Sequence, residues 1–262
     1  MPRKDDEFRK QREALKNKPL KYKIDYFWYY YKLQVLAVAF GLVLLGMLIH
    51  DIATNKATVF YAAFLNSFAT EEDEQFMADF IPLTGIDLNK YDVYLDTTMR
   101  FDTENYDEAS MAAAQKFVAI SASGDINVAV SERNVFANYA DNGAFLDLRQ
   151  CLTEEQLEKY QEHFFYFDET VLSEEVDYEE IANRDFAIPE DTVDRRDPTS
   201  MEKPVPVGIF LDDSMKDRLV QAGYYADGQE VVLGFMNTTD SLEYCQEFLD
   251  WLVSGPEQAQ NS

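Results

Sequence analysis

Histidine and cysteine are almost missing from this chain, with two of each in 262 residues. The scarcity removes whole classes of chemistry. His50 closes an apolar run, so His163, inside EHFFYF, is the one histidine left for a soluble part. A nucleophile needs a base beside it, and a zinc site needs clustered nitrogen or sulfur ligands. There is no C-x-x-C, H-E-x-x-H or G-x-S-x-G, and no glycine-rich phosphate loop. No catalytic residue, metal or cofactor is therefore assigned, and the chain is not expected to be an enzyme. Cys151 and Cys245 have two readings: one disulfide in an oxidising compartment, or two separate buried thiols. Glycine (10) and proline (8) are also sparse, and no internal repeat or low-complexity tract occurs.

Basic residues are scarce too, and unevenly placed. The net charge is -26. Residues 1–32 hold ten of the 23 Lys and Arg and five of the 49 acids, leaving 13 and 44 beyond. The charge is thus +5 before residue 33 and -31 after it.

Between these parts lies the longest apolar run, LQVLAVAFGLVLLGMLI, with no polar side chain from Leu36 to Ile49. One face of a soluble helix would show a polar residue every few positions. The pattern predicts one transmembrane helix within residues 26–52, with Tyr26 to Tyr31 as its interfacial aromatic belt. Basic flanks stay cytoplasmic, which puts the tail (1–25) inside and the long C-terminal part outside the cell membrane. That basic tail faces phospholipid rather than nucleic acid. A cleaved signal peptide has a shorter charged region and a small-residue site. HDIATNKATVF offers no clean A-x-A, so an uncleaved anchor is expected.

After a short linker (53–57), strand and helix signals alternate. Thr58–Leu65 is β-branched and aromatic, as a buried strand requires. Thr70 with Glu71, Glu72 and Asp73 starts a helix that Pro82 and Gly85 end. Tyr91–Thr98 alternates as a strand. A helix follows over 105–123, with Met111, Ala114, Phe117, Val118 and Ala122 inward. Ile126–Val130 is a strand, Ser131–Tyr139 a helix broken at Asp141-Asn142-Gly143, and Thr153–Glu162 a helix with a capping pattern. Residues 164–204 form an acidic, irregular insertion with room for a strand or short hairpin. Pro204–Asp212 and Val231–Met236 are strands, each followed by a helix (from Ser214 to Gly223, and Ser241–Val253). Residues 255–262 are a polar tail. The alternation predicts an α/β domain over 58–254 with a mostly parallel sheet.

SASGDINVAVSERNVFANYADNGAFLDLRQCLTEEQ resembles the first lobe of extracellular solute-binding proteins of the type II periplasmic-binding fold. The resemblance rests on the Ser123-Gly124-Asp125 turn, the strand Ile126–Val130, and Gly143 with Phe145-Leu146-Asp147-Leu148. PVPVGIFLDDSMKDRLVQAG and MNTTDSLEYCQEFLDWLVSG resemble that family's returning strand and closing helix. The layout of basic aromatic segment, anchor and domain also resembles single-pass proteins of Clostridia-like Gram-positive bacteria. The resemblance implies a one-lobed, membrane-anchored, extracytoplasmic binding module for a small-molecule ligand. With only 55 residues between Leu148 and Pro204, a full second lobe has no room. The alternative is a non-catalytic interaction or scaffold subunit docked on another membrane or envelope protein.

Open α/β sheets bind ligands beyond their strand carboxyl ends. Tyr61, Tyr94, Phe210 and Asp212 lie at or near such ends and are the candidate ligand residues. Asp212-Asp213 and the group Asp102, Glu104, Asp107 and Glu108 lack calcium-loop spacing and are taken as solvated acids.

Overall fold

The computed structural model describes residues 19–67, 73–100, 107–173, 188, 190–213, 215, 218–219 and 230–254. The chain divides into two units, one ending at Asn55 and one beginning at Lys56.

The first unit is a helix, α1 (Leu20–Thr54), with Pro19 at its N-cap. Its segment Tyr31–Asp51 has 21 residues, a mean hydropathy of 2.3 and no burial at all. At 1.5 Å per residue this covers about 31 Å, so α1 is long and apolar enough to cross a membrane. Leu36, Val38, Leu42 and Leu48, spread around the helix, are all exposed. Phe27 and Tyr31 stack one turn apart, with ring centres 5.1 Å apart. The helix thus begins earlier than the expected span. The short helix expected within the tail lies outside the described residues.

The second unit is built on one six-stranded sheet in the order β2-β1-β3-β6-β5-β4. The strands are β1 (Ala57–Phe64), β2 (Tyr91–Asp96), β3 (Val128–Glu132), β4 (Phe164–Asp168), β5 (Pro204–Leu211) and β6 (Val231–Phe235). β1 pairs in parallel with β2 and with β3. β6 runs antiparallel to both β3 and β5, and β4 antiparallel to β5. Four strands therefore share one direction, and β4 and β6 oppose them. The sheet is mostly parallel by direction, yet its returning half is laddered antiparallel.

Each face of the sheet is covered by helices, because β1 sends alternate side chains to opposite sides. On one side Phe60 and Phe64 meet α2 (Asp73–Thr84) and α7 (Leu242–Ser254). Phe80 and Phe248 lie 5.1 Å apart, and Phe76 and Trp251 4.7 Å apart, all edge-on. On the other side Tyr61 and Ala63 meet α3 (Glu108–Ser123) and α4 (Arg133–Ala140). The tip of the Phe136 ring, on α4, sits against two glycines. A Cβ at Gly208 would stand 2.7 Å from that ring, and one at Gly234 2.6 Å. Phe145 stacks on the same ring at 4.1 Å.

Local signals explain the helix ends. Asp107 caps α3 by accepting from the Ser110 N–H, and Gly124 closes it at φ +82. Short α5 (Leu148–Cys151) and α6 (Glu154–Tyr160) follow. The expected cap of α6 is a full capping box: Thr153 Oγ1 accepts from the Gln156 N–H and Gln156 Oε1 from the Thr153 N–H. Pro82 sits inside the last turn of α2, which closes at Gly85 with φ +65.

Several expectations need correction. Met111 and Val118 of α3 are exposed, as is Ala122. The buried stripe runs through Ser110 and Phe117, and Met111 and Val118 each stand one residue, about 100°, off it. By contrast, the strand allowed for in the acidic insertion is present at its start, where FFYFD forms edge strand β4. The far end of the insertion is clamped. Arg195 grips Asp141 through both Nη atoms at 2.8 Å and Asp191 through Nε at 3.1 Å. The Arg195 carbonyl accepts from the Tyr166 N–H, tying the segment to β4. The cap at Thr70 and most of the helix after Asp212 lie outside the described residues.

Candidate functional site

The strongest concentration of buried polar chemistry lies where β2 ends and α3 crosses it. Asp96, the last residue of β2, is fully buried. Its Oδ2 accepts from the Tyr61 hydroxyl at 2.7 Å and from Lys116 Nζ at 2.6 Å. Its Oδ1 accepts from the Thr98 N–H at 2.8 Å and the Thr98 hydroxyl at 2.6 Å. Lys116 Nζ also donates to Thr98 Oγ1 at 2.8 Å, while its side chain is 41% exposed. Tyr94 stands edge-on to Tyr61, ring centres 5.0 Å apart, and is 49% exposed. Sheet geometry assembles this group: Tyr61 and Tyr94 are register partners across β1 and β2, and two residues on Asp96 returns to the same face.

The electrostatics follow from burial and partners. Burial favours protonation of Asp96, yet donors from Lys116, Thr98 and Tyr61 outweigh it and hold the carboxyl below its ordinary range. Burial, reinforced by the bond to Asp96, pushes the Tyr61 phenol far upward. A carboxylate offers about four acceptor positions, and all are taken here. Asp96 therefore has no free lone pair with which to accept a substrate proton. What the cluster presents outward is an ammonium and an aromatic ring, a pairing suited to holding a ligand.

A second feature lies at the carboxyl ends of β1 and β3. The chain leaves β1 toward β2 on one side and leaves β3 toward the other side, which is where open sheets form a crevice. Asn66 sits there at φ +62, the one non-glycine residue with positive φ among those described. Its backbone N–H donates to the Met99 carbonyl at 2.9 Å. Burial pushes the neighbouring Glu132 carboxyl up, against a bond from the Asn66 side chain. Buried Asn127 ties the opposite end: its Oδ1 accepts from the Tyr61 N–H at 2.7 Å and its Nδ2 donates to Thr239 Oγ1 at 2.8 Å.

The four candidates from the sequence do not form one site. Tyr61 and Tyr94 come together. Phe210 lies in β5 and Asp212 just after it, with β3 and β6 between them and β1. Phe210 is buried beneath Arg196, whose guanidinium stands 3.7 Å over its ring, and beside Phe165 at 5.4 Å. Asp212 closes the turn after β5, its Oδ1 accepting from the Met215 N–H. Asp96, Thr98 and Lys116 were not anticipated. The alternation gave no signal for Asp96, which shares the phase of exposed Asp92 and Tyr94 and not that of Val93 and Leu95.

The cysteines are free and buried on the other face of the sheet. Burial pushes both thiols up to about 12. Cys151 Sγ lies 3.5 Å from the Asp147 carbonyl, and Cys245 Sγ 3.8 Å from both Thr239 Oγ1 and the Asn127 carbonyl. His163 ends a turn before β4, distant in the fold from Asp96. Among the expected solvated acids, Asp107 is the cap of α3, and Asp102 and Glu104 lie outside the described residues. No group of three or more His, Cys, Asp or Glu arranged for a metal occurs among the described residues.

No protein-family model, no curated protein and no solved structure matches this chain.

Proposed function

We propose that the protein is a membrane-anchored binding module, held by α1 in the cell membrane with its acidic α/β domain outside. The observation that carries this reading is the unburied 21-residue apolar segment Tyr31–Asp51 leading at once into a separately packed unit. The step from +5 to -31 across that segment supplies the orientation. The likeness to a solute-binding lobe supplies the binding role. Lys116 and Tyr94, exposed over the saturated Asp96, are the described side chains best placed to touch a ligand. An ammonium beside an aromatic ring suits an anionic or hydroxylated group.

The test is a ligand screen on the full chain in nanodiscs. Unfolding is followed by the fluorescence of buried Trp251, against sugars, amino acids and short peptides. A stabilising ligand whose effect is lost in Lys116→Ala supports the binding module. No stabilising ligand, together with a stoichiometric membrane protein that co-purifies, replaces it with the scaffold reading. One observation favours that second reading. The described α/β residues build a single sheet, with no opposing lobe to close over a ligand.

A further inference from the structure

We propose that the amino-end face of the sheet rests on the bilayer surface through two separated apolar contacts. One is Leu83, Leu88 and Tyr91, and the other is Val171 with Leu172. The inference rests on the anchored reading above.

The first support is where exposed apolar side chains occur. Nine large ones are exposed in the α/β unit among the described residues, and five of them are these, each 41–48% exposed. All five belong to one end of the sheet. Tyr91 begins β2 and pairs with Ala57, the first residue of β1. Leu83 lies in the last turn of α2, which leads into β2, and Leu88 in the intervening loop. Val171 and Leu172 form a turn just after β4, whose last residue Asp168 pairs with Pro204, the first residue of β5. β5 runs in the direction of β1, so this turn is at the same end. The remaining four are scattered over α3, β2 and the loop near Val193.

The second support is the chain itself. Only residues 52–56 separate the apolar segment, which ends at Asp51, from Ala57. Even fully extended, that link reaches about 20 Å. The end of the sheet that carries the five apolar residues is therefore the end leashed to the membrane. β2 and β4 are opposite edges of the sheet, so the two contacts lie about 24 Å apart. Two such contacts on a tethered body resist tilting.

The third support is charge. The domain as a whole is strongly acidic and would be repelled by anionic headgroups. Around the first contact the charges cancel locally. Lys56 lies 3.7 Å from Asp92, and Lys90 3.6 Å from Asp87. Lys56 Nζ also donates to the Leu88 carbonyl at 2.5 Å, fixing that loop against β1. The contact is therefore apolar in kind and insensitive to salt.

The test uses the full chain in phosphatidylcholine nanodiscs. A single cysteine at Leu88, Leu172 or Glu162 carries an environment-sensitive fluorophore, and the lipids carry a shallow spin-label quencher. Glu162 precedes β4 and stands at the opposite end of the sheet. The parent chain, with its two buried cysteines, sets the labelling background. Labels at 88 and 172 should lose most of their emission and the label at 162 little, at low salt and at ~1 M alike. Leu83→Glu with Leu172→Glu, both at exposed positions, should restore emission at 88 while Trp251 still reports a folded core.

Equal quenching at all three sites, or none above that at 162, overturns the proposal. So does a blue shift without lipid quenching that grows with protein concentration, which marks a second copy or another protein on this face. Trp28, at the start of the apolar segment, reads the anchor separately. Quenched Trp28 with unquenched 88 and 172 refutes this contact alone. Unquenched Trp28 refutes the anchored reading and takes this proposal with it.

Discussion

Removing the carboxylate of Asp96 should destabilise the α/β unit, because four hydrogen bonds lose their common acceptor. Asp96→Ala strands one donor that burial denies to water, the Tyr61 hydroxyl, whereas the N–H and hydroxyl of exposed Thr98 can turn to solvent at a loss of about 0.5 kcal/mol. That unmet buried donor costs about 1–3 kcal/mol. Lys116 is 41% exposed and can swing into solvent, so its share is discounted to about 0.5 kcal/mol. The total falls at about 2–4 kcal/mol. Tyr61→Phe leaves Asp96 with three of its donors and should cost about 1 kcal/mol. The double variant should cost about 1–2 kcal/mol less than the sum, because the hydroxyl stranded by the first change is deleted by the second.

Denaturant unfolding of the solubilised full chain, followed by Trp251, measures all three. The pH dependence has a fixed sign. The Asp96 carboxyl is lower in the folded than in the unfolded chain, so the unfolded chain takes up the proton first. Its stabilisation is present above the ordinary carboxylate range, near pH 4, and is lost as pH falls below it. Asp96→Ala should flatten that acid limb. A cost within about 0.5 kcal/mol of zero, or strict additivity with Tyr61→Phe, would refute the reasoning.

Other outcomes follow from the packing. Gly234→Ala places a methyl 2.6 Å from the Phe136 ring and should destabilise by about 1–3 kcal/mol, and Phe136→Leu in the same chain should recover part of that in the same unfolding assay. Arg195→Met frees Asp141 and half of Asp191. It should cost about 3 kcal/mol and open the loop around residues 190–197 to protease before the core unfolds. Both thiols, held up to about 12 by burial, should ignore a thiol-specific reagent in the folded chain and appear as two equivalents in denaturant. A denatured chain with no free thiol would mean that they pair as a disulfide.

What the sequence announces and what it hides divide along physical lines. The apolar run from Leu36 to Ile49 is legible because its hydropathy is unbroken, and the helix ends at Thr153 and Gly124 because caps are local. Strand neighbours are not local. Nothing in VVLGF says that it lies between β3 and β5, so the antiparallel half is silent in the pattern. The same silence split the candidate site. The strand-end rule selects Tyr61, Tyr94, Phe210 and Asp212 alike, and only the strand order parts the first two from the last two. Lys116 was hidden for a further reason. Its distance to Asp96 depends on how α3 turns on the sheet, which Phe117 and Ser110 set against the rival stripe of Met111 and Val118. The acids and prolines that follow β4 left room for a strand there but hid its bounds.

The central claim is an anchored domain on the outer side of a membrane, and protease accessibility of intact cells expressing a chain tagged at both ends tests it most directly. External protease should remove the C-terminal tag and leave the N-terminal tag protected, with both tags in the membrane fraction beforehand. Both tags protected, or a released domain with a new N-terminus near Thr54, would contradict it.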